Sequence, residues 1–127
     1  MKKIIVIFIS LINILSCSSS KELSILDELT GIIKEAKNAE DATEKLKKFI
    51  NIKKEIIKEI VNDFNSLELD KQMERYLEFN RKLYDKDGLF EIIETKNYNK
   101  DDNFNEVFEE FKSNLAPFFQ KESKLGS

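Results

Sequence analysis

Histidine and tryptophan are absent from this chain, cysteine and proline occur once each, and glycine only three times. Without imidazole there is no histidine base and no histidine metal ligand, the commonest source of either near neutral pH. A single cysteine excludes a disulfide within the chain and any cysteine-rich zinc site. Gly31, Gly88 and Gly126 stand far apart, so no glycine-rich loop cradles a phosphate. Carboxylates are plentiful, but on sequences this charged close carboxylate pairs are everywhere and mark nothing. Enzyme chemistry finds little to use, and the chain reads as non-catalytic. Long hydrophobic runs are lacking too. The one apolar stretch, Ile4 to Leu15, is about a dozen residues and contains Ser10 and Asn13. A membrane-spanning helix needs about 20.

That stretch has informative flanks. Lys2 and Lys3 precede it, and Ile14-Leu15-Ser16-Cys17 follows, running into Ser18, Ser19 and Ser20. A basic start, a short apolar segment and a small residue before the cut are the parts of a secretory signal. The aliphatic residue three places before the only cysteine, with serine next to it, resembles a bacterial lipoprotein signal peptide. The resemblance implies cleavage after Ser16 and acylation of Cys17 with diacylglycerol and an N-acyl chain, the only attached group expected. The thiol is then a thioether, closed to catalysis, and two or more acyl chains anchor a protein stably where one does not. An uncleaved anchor helix, or an ordinary signal cut between Ser16 and Ser20, are the alternatives. The expected organisation is a signal peptide over 1–16, an acylated cysteine with a flexible tether over 17–21, a helical domain over 22–119 and a polar tail over 120–127.

Cleavage would shorten the chain from 127 to 111 residues and, by removing two lysines and no acids, shift the net charge from −3 to −5. That is one small domain with a modest negative charge, poorly suited to nucleic acid. Lys, Asn, Ile, Phe and Glu are used heavily. With the leader, this composition resembles the small plasmid-encoded surface lipoproteins of Borrelia-type spirochaetes. The resemblance implies an outer-membrane, surface-exposed protein with a host protein as partner; a periplasm-facing structural or assembly lipoprotein with a bacterial partner is the competing expectation.

Apolar spacing after residue 21 is helical throughout, which predicts an all-α domain, a small bundle of three to four amphipathic helices. The first covers 22–37, with Leu23, Leu26, Leu29, Ile33 and Ala36 on one stripe and Gly31 weakening it. A second spans 41–65, opened by Asp41 with Glu44 three places on. Its face comprises Ala42, Leu46, Phe49, Ile50, Ile56, Ile57, Ile60, Val61 and Phe64. A third, from Asp70, sets Met73, Tyr76, Leu77, Leu83 and Tyr84 together; nothing decides whether it continues the second. Residues 85–103 read as a turn, a short apolar patch and a polar loop. The last helix starts at Asp101 or Asp102, faces inward with Phe104, Val107, Phe108, Phe111 and Leu115, and meets Pro117.

Three groups of residues invite a function. Residues 83–94 lie in partial register with a calcium loop: Asp85 and Asp87 at positions 3 and 5, Gly88 at 6 and Glu94 at 12. Leu83 stands where the first oxygen ligand belongs, so a turn built by Asp and Gly is the simpler reading. Phe118 and Phe119, just beyond Pro117, form a candidate exposed interaction patch. The lysines at 45, 47, 48, 53, 54 and 58 most simply solvate a helix face, since acids lie one turn away.

Overall fold

The computed structural model describes residues 20–119, and among these it is mostly helical with no strand. There are six α-helices: α1 Lys21–Glu35, α2 Ala39–Ile52, α3 Lys54–Asn65, α4 Leu69–Leu83, α5 Leu89–Thr95 and α6 Asp102–Asn114. A 3₁₀ turn, Tyr98–Lys100, separates α5 from α6, and residues 116–119 add one helical turn at the end. The all-α class is as expected, but the helices outnumber the three to four predicted. The expected signal peptide, Cys17, Ser18 and Ser19, and the polar tail lie outside the described residues.

The extra helices arise where the chain breaks without a strong sequence mark. The predicted helix over 41–65 is divided at Lys53. Positions 46, 49, 50, 57, 60 and 64 form the buried seam of α2 and α3, and helical spacing puts residue 53 in that same seam. Lysine there cannot enter the core unpaired. Its ammonium instead reaches Glu28 at 3.1 Å, and the backbone relaxes out of helical geometry (φ −91°, ψ 5°). Ile52 and Ile56 lie off this seam and are 73% and 40% exposed. Ile56 therefore does not belong to the inward face on which the spacing placed it. The N-cap of α2 is Asn38, which accepts from the Asp41 amide at 2.8 Å, while the Asp41 carboxylate accepts from the Lys37 amide at 3.0 Å. Asp41 is thus inside the first turn and not the cap itself. The Lys37 amide, with Lys45 beside it, holds its carboxyl below the usual range.

Helices α3 and α4 are separate, turning over Ser66–Glu68, with the Gln72 side chain donating to the Phe64 carbonyl at 2.9 Å. On α4 the buried residues are Tyr76, Phe79 and Leu83, whereas Leu77 and Tyr84 are exposed. Ion pairs fix the directions. Lys21–Glu59 and Lys53–Glu28 set α3 antiparallel to α1; Glu22–Arg75 and Asp27–Lys82 set α4 parallel to it. Helix α2 packs between α1 and α6.

The α4–α5 turn depends on close backbone approach. Gly88 donates its amide to the Asp85 carbonyl at 2.9 Å. A Cβ at Gly88 would lie 2.6 Å, 2.8 Å and 2.9 Å from the carbonyl oxygens of Lys82, Asp85 and Leu83. Gly31, by contrast, has nothing within 4 Å of a Cβ. The two glycines should respond oppositely in thermal unfolding. Gly88→Ala is expected to cost about 1–3 kcal/mol through overpacking, and Gly31→Ala to gain up to about 1 kcal/mol from helix propensity. Equal shifts would contradict this account of the turn.

At the opposite end of α1 from residue 20, α5 and the 3₁₀ turn close the bundle. The Lys96 ammonium donates to the carbonyls of Lys34 and Ala36 at 2.6 and 3.0 Å, and the Tyr98 hydroxyl donates to Ala36 at 3.1 Å. These donors satisfy carbonyls that a helix C-terminus leaves open, and a cation there suits the helix dipole. Burial pushes the Tyr98 phenol up from its ordinary value. Asp101 caps α6 as expected, accepting from the Phe104 amide at 2.9 Å.

Candidate functional site

The Phe118–Phe119 pair is not an exposed patch. Phe118 is fully buried, its ring 4.6 Å from that of Phe64 and 4.9 Å from that of Phe79 between centroids. Phe119 is half-buried, edge-on to Phe79 at 5.5 Å. Pro117 sits early in a new turn, where its missing amide costs nothing, and that turn carries the chain back over α3 and α4. The Asn80 amide group fixes it by donating to the Phe118 carbonyl at 3.0 Å.

The three carboxylates of the calcium-loop register are not gathered. Asp85 accepts from the Lys86 amide at 2.8 Å, and Asp87 adopts a left-handed backbone (φ 63°) with its amide donating to Glu91 at 2.9 Å. Among the described residues no group of three or more Asp, Glu, His or Cys side chains is placed to hold a metal ion. These residues serve the turn. Cys17 lies outside the described residues.

What the turn does build is a groove. Helix α5, invisible as a helix in the sequence reading, buries Leu89, Ile92 and Ile93 and leaves Phe90 on its flank. A groove of about 570 Å³ runs between the end of α4, α5 and α6, lined by Tyr84, Phe90, Ile93 and Phe108, with Glu91, Glu94, Glu109 and Lys112 around them and Thr95, Asn99 and Asn105 at one end. Tyr84 meets Phe90 edge-on at 4.9 Å, and Phe90 meets Phe108 edge-on at 6.0 Å. Phe108 stacks between Phe104 and Phe111, which holds its ring in place. Tyr84 is 62% exposed. Aromatic walls with a few placed polar groups describe a binding cleft. Its Thr95–Asn105 end belongs to the end of the bundle opposite residue 20.

The rim is acidic, with one exception. The Lys112 ammonium lies 5.5 Å from the Phe108 ring centroid and 2.6 Å from the Glu109 carboxylate. Glu91 is partly engaged by the Asp87 amide, and Glu94 makes no ion pair among the described residues.

A second surface lies along α1, α2 and α3. Ile52 stands beside Ile32, Phe49 and the lysines at 45, 48 and 53 around a depression of about 270 Å³, and Ile56 lines a neighbouring one with Lys21 and Glu59. Lys45 and Lys53 are both paired with acids. It is a shallow face on which most of the lysines are paired with acids.

The sequence reading missed the groove. It placed Tyr84 on an inward face and treated Leu89–Ile93 as a patch within a loop. Only once residues 89–95 are helical do Glu91 and Glu94 fall one turn apart on the same side as Phe90. Set against known proteins, the chain matches no family model, no curated protein and no solved structure.

Proposed function

We propose that this is a lipid-anchored bacterial envelope protein, displayed at the outer-membrane surface, that acts as a non-catalytic binding module for a protein partner. The observation that carries it is Cys17, the sole cysteine, in register behind Ile14-Leu15-Ser16 and a basic, apolar leader. Two features of the described domain support a binding role. The aromatic groove is a cleft of about 570 Å³. Part of it lies at the end of the bundle away from residue 20, where an anchored chain would enter. In an anchored chain, a site so placed would face away from the membrane. The preference for a host protein rests on the resemblance of leader and composition to spirochaete surface lipoproteins.

The anchor is tested by metabolic labelling with a palmitate analogue: the wild-type chain should label and Cys17→Ala should not. Label retained on the variant would refute acylation at Cys17. Display is tested by adding protease to intact cells. Rapid loss of the protein is expected, whereas full protection would sink surface exposure and favour a periplasm-facing assembly role.

A further inference from the structure

The groove already holds one cation, and it belongs to the chain itself. Lys112 reaches from α6, lays its ammonium over the face of Phe108 and pairs with Glu109. The pose combines the two interactions that hold a basic side chain on an aromatic surface, attraction to the ring quadrupole and a charge-assisted hydrogen bond. Around it stand more carboxylates than this one lysine balances: Glu91 and Glu94 one turn apart on α5 face the groove together with Glu109. Phe90 and Tyr84 extend the aromatic surface beyond the reach of Lys112. A cleft of about 570 Å³ is far larger than one ammonium needs and falls in the range that encloses a ligand of several groups. Asn99 and Asn105 lie at the end of the groove, where the Asn105 amide donates to the Asn99 carbonyl at 2.8 Å. The Asn99 side-chain amide is suited to hydrogen-bonding a peptide backbone.

We propose that this groove binds a basic peptide segment of a protein partner, seating a lysine or arginine side chain against Phe90 and Phe108 between Glu94 and Glu109. It rests on the binding-module reading above and names the chemistry of the partner. Charge complementarity selects a basic segment over an acidic one; the length of the aromatic wall selects a peptide over a lone amine. Lys112 is the internal competitor, occupying part of the site until an incoming side chain takes its place.

The test is a fluorescence-anisotropy titration of the full chain, in a neutral detergent at low salt, with a fluorescein-labelled Ala-Arg-Ala-Arg-Ala peptide. Its Ala-Glu-Ala-Glu-Ala counterpart is the control. The arginine peptide should bind and the glutamate peptide should not. Glu94→Gln with Glu109→Gln, both exposed, should weaken binding about five- to tenfold, on the order of two surface charge pairs. Glu40→Gln with Glu44→Gln, an equal charge change on α2, should alter it less than twofold. Lys112→Met should tighten binding about two- to fivefold by vacating the Phe108 face. Equal losses from the two glutamine pairs would mean diffuse attraction to an acidic protein and overturn the proposal. So would weaker binding by Lys112→Met, no binding at millimolar peptide, displacement of the peptide by equimolar n-butylammonium, or a dimer in sedimentation that buries the groove. None of these outcomes bears on acylation of Cys17 or on protease access, so the anchor reading stands or falls separately.

Discussion

Replacing Arg75 with leucine is expected to destabilise the bundle by about 3–5 kcal/mol, because it strands a buried carboxylate. Glu22 is completely inaccessible to solvent, and both of its oxygens are held by one guanidinium, at 2.9 Å from Nε and 2.7 Å from the terminal nitrogen. The fork matches the carboxylate, which is the geometry in which arginine pairs most strongly. The same bonds with Glu22 hold the Arg75 pKa above its ordinary value. Glu22 also lies in the first turn of α1, where a negative charge complements the helix dipole. Those contributions offset the cost of taking the carboxylate out of water, and removing the arginine leaves most of that cost standing. Arg75→Lys should recover only part of the loss, since an ammonium cannot span both oxygens. The double change Glu22→Leu with Arg75→Leu should be far milder than Arg75→Leu alone, because it removes the stranded charge with its partner. Urea unfolding followed by far-ultraviolet circular dichroism measures each difference. A loss below 1 kcal/mol in Arg75→Leu would show that Glu22 finds water or another donor.

Phe118→Ala is expected to cost about 3–5 kcal/mol, the range for deleting a fully buried phenylalanine. The ring contacts Phe64 on α3 and Phe79 on α4 at once, so its removal opens a cavity between two helices and forfeits two aromatic contacts. Phe119→Ala, from a half-buried position, should cost distinctly less. Small domains hold only about 5–15 kcal/mol in total, so the Phe118 variant should unfold at markedly lower urea with an unchanged slope. If instead Phe118→Ala changes stability by less than 0.5 kcal/mol, as surface substitutions do, the pair is a surface feature after all and the terminal turn does not dock.

These two residues mark where reading the sequence stops being sufficient. Periodicity shows which side of a helix is apolar, and it placed Leu26, Leu29, Leu46, Phe104 and Phe111 in the core, where they lie. It cannot show whether a charged residue at a helix start meets a partner, and Arg75 lies 53 residues from Glu22. Nor does it show that the chain after Pro117 turns back. A proline followed by two aromatics is compatible with an exposed end or a docked turn, and the packing of Phe64 on α3 and Phe79 on α4 around Phe118 decides.

The break at Lys53 was legible in principle, since the seam running through Leu46, Ile50 and Phe64 places a lysine at a core position. What spacing could not show is that the Lys53 ammonium meets Glu28 on α1. The groove was the least legible feature. Its walls come from three separate helices, and α5 is only seven residues long. A helix that short is not stable by itself and exists because Gly88 lets the backbone close and Leu89, Ile92 and Ile93 find the core.

By itself the sequence determined the helical class, through local apolar spacing, and the restriction to chemistry without imidazole or a second thiol, through composition. It also supplied Lys2, Lys3, the apolar stretch Ile4 to Leu15 and Cys17, on which the proposed address rests. Tertiary structure decided the number of helices, the burial of Glu22 and Phe118, and the assembly of Tyr84, Phe90 and Phe108 into one groove. Spacing is a property of a few neighbouring residues, whereas each of these outcomes depends on groups far apart in the chain that only packing brings within contact.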